Sequence, residues 1–201
     1  HPLDGWGLRL RATGAAEVLG GDSSFLRGDV AGYRLFPSVG NHRFYVYGRL
    51  QAQTGSAFPQ DYVGLSRYDA IELPLPGEVP LRLGDAERVR GHRNYVLGNR
   101  VAFGSLEYRM PLAPSLQTEL LGLVSLGKTT LSAFVDGGLV WNDGTVTDGV
   151  QQAGTGLELK NALRLFGLRI GHALGAAQPT TAFGTTNDVQ LYYRVQTALP
   201  F

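Results

Sequence analysis

Long stretches of two-residue alternation constrain the fold of this chain more than any other feature. In residues 43–53 and 188–199 apolar and polar side chains largely take turns along the chain. Because successive side chains of a strand point to opposite faces of a sheet, this alternation predicts strands with one apolar and one polar face. The same reading predicts eight strands, at residues 5–16, 25–37, 42–55, 98–112, 128–142, 150–160, 164–175 and 187–201.

The predicted strands are long, and their connections alternate in length. Strands of globular domains most often have about 5–6 residues, whereas a tilted strand needs about 9–11 residues to cross a bilayer. Tight turns are predicted at 38–41 and 161–164, and 113–127 is a long connection on that same side. The connections on the other side are mostly longer, at 17–24, 56–97, 143–149 and 176–186. Short turns on one side and long loops on the other favour an antiparallel up-and-down β-barrel in a membrane.

The composition favours a membrane barrel over a soluble β-sandwich, which would show the same alternation. Charged residues make up 17% of the chain, below the roughly 25% of soluble domains. The polar faces carry Arg, Tyr and Gln, and lysine occurs only at Lys128 and Lys160. A guanidinium can be hydrogen-bonded in several directions, which suits an enclosed polar lumen. The predicted fold class is therefore all-β, a transmembrane antiparallel barrel.

Several classes of function find no support in the sequence. The 18 basic and 17 acidic side chains nearly cancel, so no net field would recruit nucleic acid. The four histidines lack metal-ligand spacing, and there is no cysteine. No nucleophile, acid–base or phosphate-binding constellation is found either. We therefore predict no enzymatic activity, no metal and no cofactor.

The C-terminal strand ends on an aromatic residue. Phe201 is preceded at alternate positions by Leu199, Val195 and Tyr193. This pattern resembles the C-terminal signal by which outer-membrane proteins of Gram-negative bacteria are recognised for assembly. An exposed strand edge with an aromatic end could add to the sheet of an assembly machine. The resemblance implies the bacterial outer membrane as the location.

Four segments in a fixed order carry a second resemblance. They are VRGH at 89–92, GNRVAFGSLEYRMPL at 98–112, AFVDGGLVW at 133–141 and GTGLEL at 154–159. Together with the terminal Phe201, this order resembles the C-terminal half of the barrel in the BamA/TamA/two-partner-secretion transporter superfamily, also called the bacterial surface antigen family. In that family a long loop folds back into the lumen, so the resemblance implies that 56–97 is such a loop.

The resemblance also implies how the loop is held. Arg90, followed by Gly91, would lie at the loop tip, and its guanidinium would dock against Glu107 and Asp136. Phe134 and Gly138 would complete the motif around Asp136. Both acids share the parity of the predicted polar face, which agrees independently with this arrangement. His92 departs from the family pattern, because Phe or Tyr usually stands there.

The extent of the resemblance predicts that the chain is part of a larger barrel. Barrels of this family have about sixteen strands, preceded by periplasmic POTRA repeats. An eight-stranded barrel has an interior just wide enough for its own side chains and would leave no room for loop 56–97. We therefore expect residues 1–201 to be one barrel domain, the C-terminal half of a longer barrel. The alternative is a short family member that closes its barrel by pairing chains.

The implied function is insertion of proteins into the outer membrane or translocation of polypeptides across it. The implied partners are the lipid bilayer with its lipopolysaccharide, unfolded outer-membrane or secreted polypeptides, and accessory envelope proteins. One alternative is a barrel of the same superfamily that anchors or exports a fused N-terminal domain. A passive pore is the other alternative.

Overall fold

The computed structural model describes residues 4–20, 23–56, 62–65, 71–72, 87–113, 118–120, 124–144, 146–165, 168–180 and 188–197. These residues form twelve strands and two short 3₁₀ helices, Glu17–Leu19 and Val146–Asp148. The strands are β1 (Gly5–Ala15), β2 (Ser24–Pro37), β3 (Arg43–Ser56), β4 (Val63–Leu65), β5 (Ile71–Glu72), β6 (Val96–Gly98), β7 (Arg100–Ala113), β8 (Thr118–Leu120), β9 (Val124–Trp141), β10 (Val150–Leu165), β11 (Leu168–Pro179) and β12 (Gln190–Thr197). The predicted all-β class is confirmed.

The eight long strands form one antiparallel sheet in which chain neighbours are sheet neighbours. The order is β1-β2-β3-β7-β9-β10-β11-β12, with β8 added to β9 and a two-residue parallel pairing of β5 with β12. Among the described residues β1 and β12 do not pair with each other, so the sheet is open. In this part of the chain no helix is long and apolar enough to span a membrane.

The turn predicted at 161–164 is wrong. Strand β10 runs through these residues to Leu165, and Asn161 pairs with Thr129 of β9 and His172 of β11. The Asn161 side chain also donates to the Thr129 hydroxyl at 2.6 Å. A residue that is paired on both sides continues the ladder, whatever its own turn propensity. Part of the long connection predicted at 113–127 is likewise strand, because β8 pairs with the start of β9.

The two faces of the sheet differ in polarity: the exposed side chains are largely apolar and many of the buried ones are polar or charged. One face exposes large apolar side chains, among them Trp6, Leu10 and Leu191 at 68–69% exposure. The other face buries polar and charged side chains, namely Asp29, Arg49, Gln51, Gln53, Glu107, Ser132, Asp136, Gln152 and Glu158. We call these the apolar face and the polar face.

Strand β4, Val89 and Arg90, all from segment 56–97, lie against the polar face, whereas β5 of the same segment pairs with the edge strand β12. Strands β4 and β6 form a separate two-stranded sheet. Their residues Val63 and Leu65, together with Val89, pack with Val101 of β7 and Val140 of β9 in one buried apolar cluster. Burial of these side chains gives the segment an apolar seat beside the charged groups that it also contacts.

Candidate functional site

The candidate site begins with a tight turn at residues 89–92. The His92 amide donates to the Val89 carbonyl at 3.2 Å, and Gly91 has a φ of +96°. A side chain at Gly91 would also press on the Pro179 nitrogen and on Ala177 at 3.3–3.4 Å. Glycine therefore meets both the backbone and the space requirement of the turn. The turn points Arg90 at the polar face.

Arg90 is held by Asp136 of β9 through a forked pair of hydrogen bonds. Its Nε donates to Oδ2 at 2.6 Å and its Nη2 to Oδ1 at 2.7 Å. The Arg90 backbone amide adds a third bond to Oδ2 at 3.2 Å. Residue exposure is 6% for Arg90 and 1% for Asp136. Charge-assisted, bidentate bonds of this kind are the strongest that side chains make.

Two further carboxylates from neighbouring strands complete the contacts of the guanidinium. Arg90 Nη1 donates to Glu107 Oε1 of β7 at 2.9 Å and to Glu158 Oε2 of β10 at 3.1 Å. Nη2 also reaches the Ser105 hydroxyl at 3.2 Å. Arg90 thus ties the turn to three adjacent strands.

Phe134 forms the base of the site. The Arg90 Cζ atom lies 3.5 Å from the centroid of its ring, within the range of a cation–π interaction. Phe134 is buried and packs with Ala177 and Tyr192. The ring therefore links the guanidinium to strands β11 and β12.

Two glycines allow the turn to approach the sheet. A Cβ atom at Gly138 would lie 2.6 Å from a methyl group of the buried Leu65. A Cβ atom at Gly154 would collide with the carbonyl oxygen of Arg90. Gly138 belongs to the predicted motif, whereas the role of Gly154 was not predicted.

Three cationic side chains flank the carboxylates. Glu107 accepts from Arg109 at 2.7 Å and from Lys160 at 2.9 Å. Glu158 pairs with Lys160 at 3.0 Å and with Arg194 at 2.9 Å. With Arg90, each of these two buried carboxylates meets three cations, which offsets the cost of burying its charge.

Sequence reasoning missed Glu158, Lys160 and Arg194. Glu158 faces Ser132 of β9 and Gly175 of β11, but the alternation of one strand gives a face and not the register between strands. A usable signal was present: Glu158 and Lys160 share the parity of Gly154 and Gly156.

Arg90 remains charged in this setting. Burial alone would lower the pKa of its guanidinium, but the hydrogen bond and charge of Asp136, with the charges of Glu107 and Glu158, raise the pKa above its ordinary value. The Arg90 guanidinium therefore keeps its charge in the physiological pH range. In the described ranges no group of three or more His, Asp and Glu residues could hold a metal ion.

His92 lies beside the junction and is fully buried. Its Nε2 lies 2.8 Å from the Ala153 carbonyl and acts as a donor, while its buried Nδ1 has no hydrogen-bond partner within the described part of the chain. The ring thus fills a buried position next to β10, and it adds one polar contact that Phe or Tyr could not make in the same way.

The described residues of the predicted C-terminal signal, Tyr193 and Val195, lie away from the junction. Tyr193 is exposed on the apolar face and pairs with Leu174 of β11, and Val195 pairs with His172. Leu199 and Phe201 lie outside the described residues.

Six of the predicted loop-docking residues meet at one place, namely Arg90, Gly91, Glu107, Phe134, Asp136 and Gly138, with His92 adjacent. No protein-family model matches the chain, and no curated protein sequence matches it.

Proposed function

We propose that the chain is part of an outer-membrane β-barrel that inserts proteins into the bacterial outer membrane or translocates polypeptides across it. The observation that carries the proposal is the burial of Arg90 among Glu107, Asp136 and Glu158 on a face whose reverse side is apolar and exposed. A segment from outside the main sheet is thereby fixed against the polar face.

The exposed apolar face supports a membrane location. Exposed large apolar side chains lie on the same face of neighbouring strands, for example Leu106 of β7, Val135 of β9 and Leu157 of β10. A soluble monomer rarely exposes contiguous apolar patches of more than a few hundred Å². A lipid surface would cover all of these side chains at once, whereas the charged groups of the other face are already paired within the chain.

The open sheet supports a larger barrel. Both β1 and β12 have long strand edges, and β1 has one sheet neighbour among the described residues. An unpaired strand edge in a bilayer would leave backbone groups without hydrogen bonds, at a cost of several kcal/mol each. Further strands, in the same chain or in a second copy, would close the barrel and enclose the docked segment.

A docked internal segment supports handling of polypeptides over a passive pore. A water-filled pore needs an unobstructed lumen, whereas here Arg90, Val89 and Leu65 are packed against β7 and β9 on the polar face. A polypeptide could then cross only beside this docked segment, or it could pair with the strand edges of β1 and β12. No covalent chemistry is required, and the partners would be lipid, lipopolysaccharide and unfolded polypeptide, together with accessory envelope proteins.

A reconstitution experiment tests the proposal. Vesicles containing the purified protein are given an unfolded outer-membrane barrel protein, and its folded, protease-resistant fraction is followed over time. We expect faster folding than in empty vesicles and a loss of that gain with Arg90→Ala. Free passage of small solutes without any effect on the polypeptide would contradict the proposal and favour a passive pore.

A further inference from the structure

The segment that carries Arg90 makes a second charged contact, of opposite sign, three residues earlier. Glu87 Oε1 accepts from Arg49 Nη1 at 2.9 Å and from the Tyr47 hydroxyl at 2.6 Å, both on β3. Arg49 in turn makes two hydrogen bonds to the carboxylate of Asp29 on β2. Its Nε donates to Oδ1 at 2.9 Å and its Nη2 donates to Oδ2 at 2.7 Å. Arg49 and Asp29 are both buried.

Residues 87–92 therefore cross the polar face from strand to strand, and we call them the strap. Glu87 is bound on β3 and Arg90 on β9, with β7 between them. Two strand spacings are about 10 Å, which three extended residue steps can cover. Within the strap Glu87 is negatively charged and Arg90 is positively charged. The polar face places a side chain of opposite charge against each of them, Arg49 against Glu87 and Asp136 against Arg90.

The two ends differ in what their release would leave behind. If the Glu87 carboxylate moves away, Arg49 keeps both of its hydrogen bonds to Asp29 and therefore remains in an ion pair. If Arg90 leaves, Asp136 loses three hydrogen bonds at 1% exposure. Among the described residues only the Ser105 hydroxyl would still donate to Asp136, at 2.7 Å. An unpaired buried charge is strongly unfavourable, whereas a separated but compensated pair is not.

Exposure follows the same asymmetry. The Glu87 side chain is 21% exposed, so water can solvate its carboxylate as soon as the contact opens. The carboxylates that bind Arg90 are at most 7% exposed. The Glu87 backbone also forms an isolated parallel bridge with Leu65, and Val89 packs with Leu65, Val101 and Val140, so opening at the Glu87 end would disturb these contacts as well.

We propose that the strap is a one-sided gate, in which Glu87 is a releasable latch and Arg90 is a fixed pivot. Opening at the latch separates the strap from Tyr47 and Arg49 of β3 while the junction at Asp136 stays intact. Such a gate would operate in the folded chain whether or not the chain has the proposed transport role.

Single cysteines can test the gate, because the chain has no natural cysteine. One variant carries Val89→Cys near the latch and another His92→Cys beyond the pivot; both positions are fully buried. The rate of labelling by a water-soluble maleimide is measured in the folded protein with and without Glu87→Gln. We expect Glu87→Gln to accelerate labelling at position 89 by about tenfold or more, since it weakens charged hydrogen bonds, and to leave position 92 within about twofold.

Two comparisons make the result decisive. Arg90→Ala is expected to accelerate labelling at both positions. Asp143→Asn alters an exposed ion pair with Arg100 and is expected to accelerate labelling at neither position. Equal acceleration of labelling at positions 89 and 92 by Glu87→Gln, or no acceleration at either position, would overturn the proposal.

If a cysteine variant does not fold, amide hydrogen exchange in the cysteine-free chain tests the same difference between the two ends of the strap. Glu87→Gln should then speed exchange of the amides of residues 88 and 89 and leave the Arg90 amide slow. These rates report on the strap alone, so a failed reconstitution assay would count against the transport role and not against the gate.

Discussion

Arg90 and Asp136 are joined by three hydrogen bonds, two from the guanidinium at 2.6 and 2.7 Å and one from the backbone amide at 3.2 Å. They are 46 residues apart in the chain. This contact attaches the strap to the middle of the sheet, and the predictions below follow from its burial and from the faces on either side of it.

Removal of the Arg90 guanidinium should strongly destabilise the fold. Arg90→Ala leaves Asp136 buried without its main partner, so we expect the free energy of unfolding to fall by about 3–5 kcal/mol. Arg90→Lys keeps the positive charge but not the two parallel hydrogen bonds, so its free energy of unfolding should lie between those of the wild-type chain and Arg90→Ala. Urea unfolding followed by tryptophan fluorescence measures the change.

An exposed ion pair provides the matched control for this measurement. Arg100 contacts Asp143 at 2.9 Å with both side chains well exposed. Arg100→Ala should cost less than about 1 kcal/mol. Equal losses for Arg90→Ala and Arg100→Ala would contradict the role of the buried junction.

A methyl group at Gly154 should push the strap from the sheet. Gly154→Ala places its Cβ against the Arg90 carbonyl oxygen, and we expect a loss of about 1–3 kcal/mol from overpacking. Cleavage near residues 87–92 in limited proteolysis should rise in parallel. Gly137→Ala is the control, because a Cβ there meets nothing within 4 Å; a similar effect of both substitutions would argue against close contact at Gly154.

Glu107 and Glu158 should act as a coupled pair. Both contact Arg90 and Lys160, so the effects of Glu107→Gln and Glu158→Gln on the free energy of unfolding should not add. We expect a coupling energy of about 0.5–3 kcal/mol from the double-mutant cycle. Glu158→Gln combined with Asp143→Asn should be additive within error, and additivity of the first pair would refute the shared network.

A charge on the apolar face should prevent stable residence in a bilayer. Val135 is exposed in the middle of β9, and Val135→Arg should destabilise the inserted protein by about 2–4 kcal/mol if it lies near the bilayer midplane. Asn142→Arg lies just past the end of the same strand and should have little effect. Fractionation of vesicles after carbonate extraction measures the inserted fraction; equal extraction of the two variants would count against a lipid-facing surface.

The alternation of apolar and polar residues was sufficient to predict the long strands and the faces of Glu107 and Asp136. A side chain's face depends only on its own strand, so parity can be read from one sequence. Parity places Lys160 and Glu158 on the polar face but does not predict which strands they meet, because Lys160 and Arg194 reach Glu158 through the registers of β10 and β12 with their neighbours. The turn expected at 161–164 failed for the same reason, since Asn161 is held in strand by partners on both sides.

The central claim is that the apolar face meets lipid while the polar face holds the strap. Nitroxide labels on single cysteines at Leu106, Val135 and Leu157 test it most directly, with Asn142 as the reference at the strand end. In vesicles, the account predicts high collision rates with oxygen and low rates with a water-soluble nickel chelate at the three apolar positions, and the reverse at Asn142. Chelate collision rates at Leu106, Val135 and Leu157 as high as at Asn142 would contradict it.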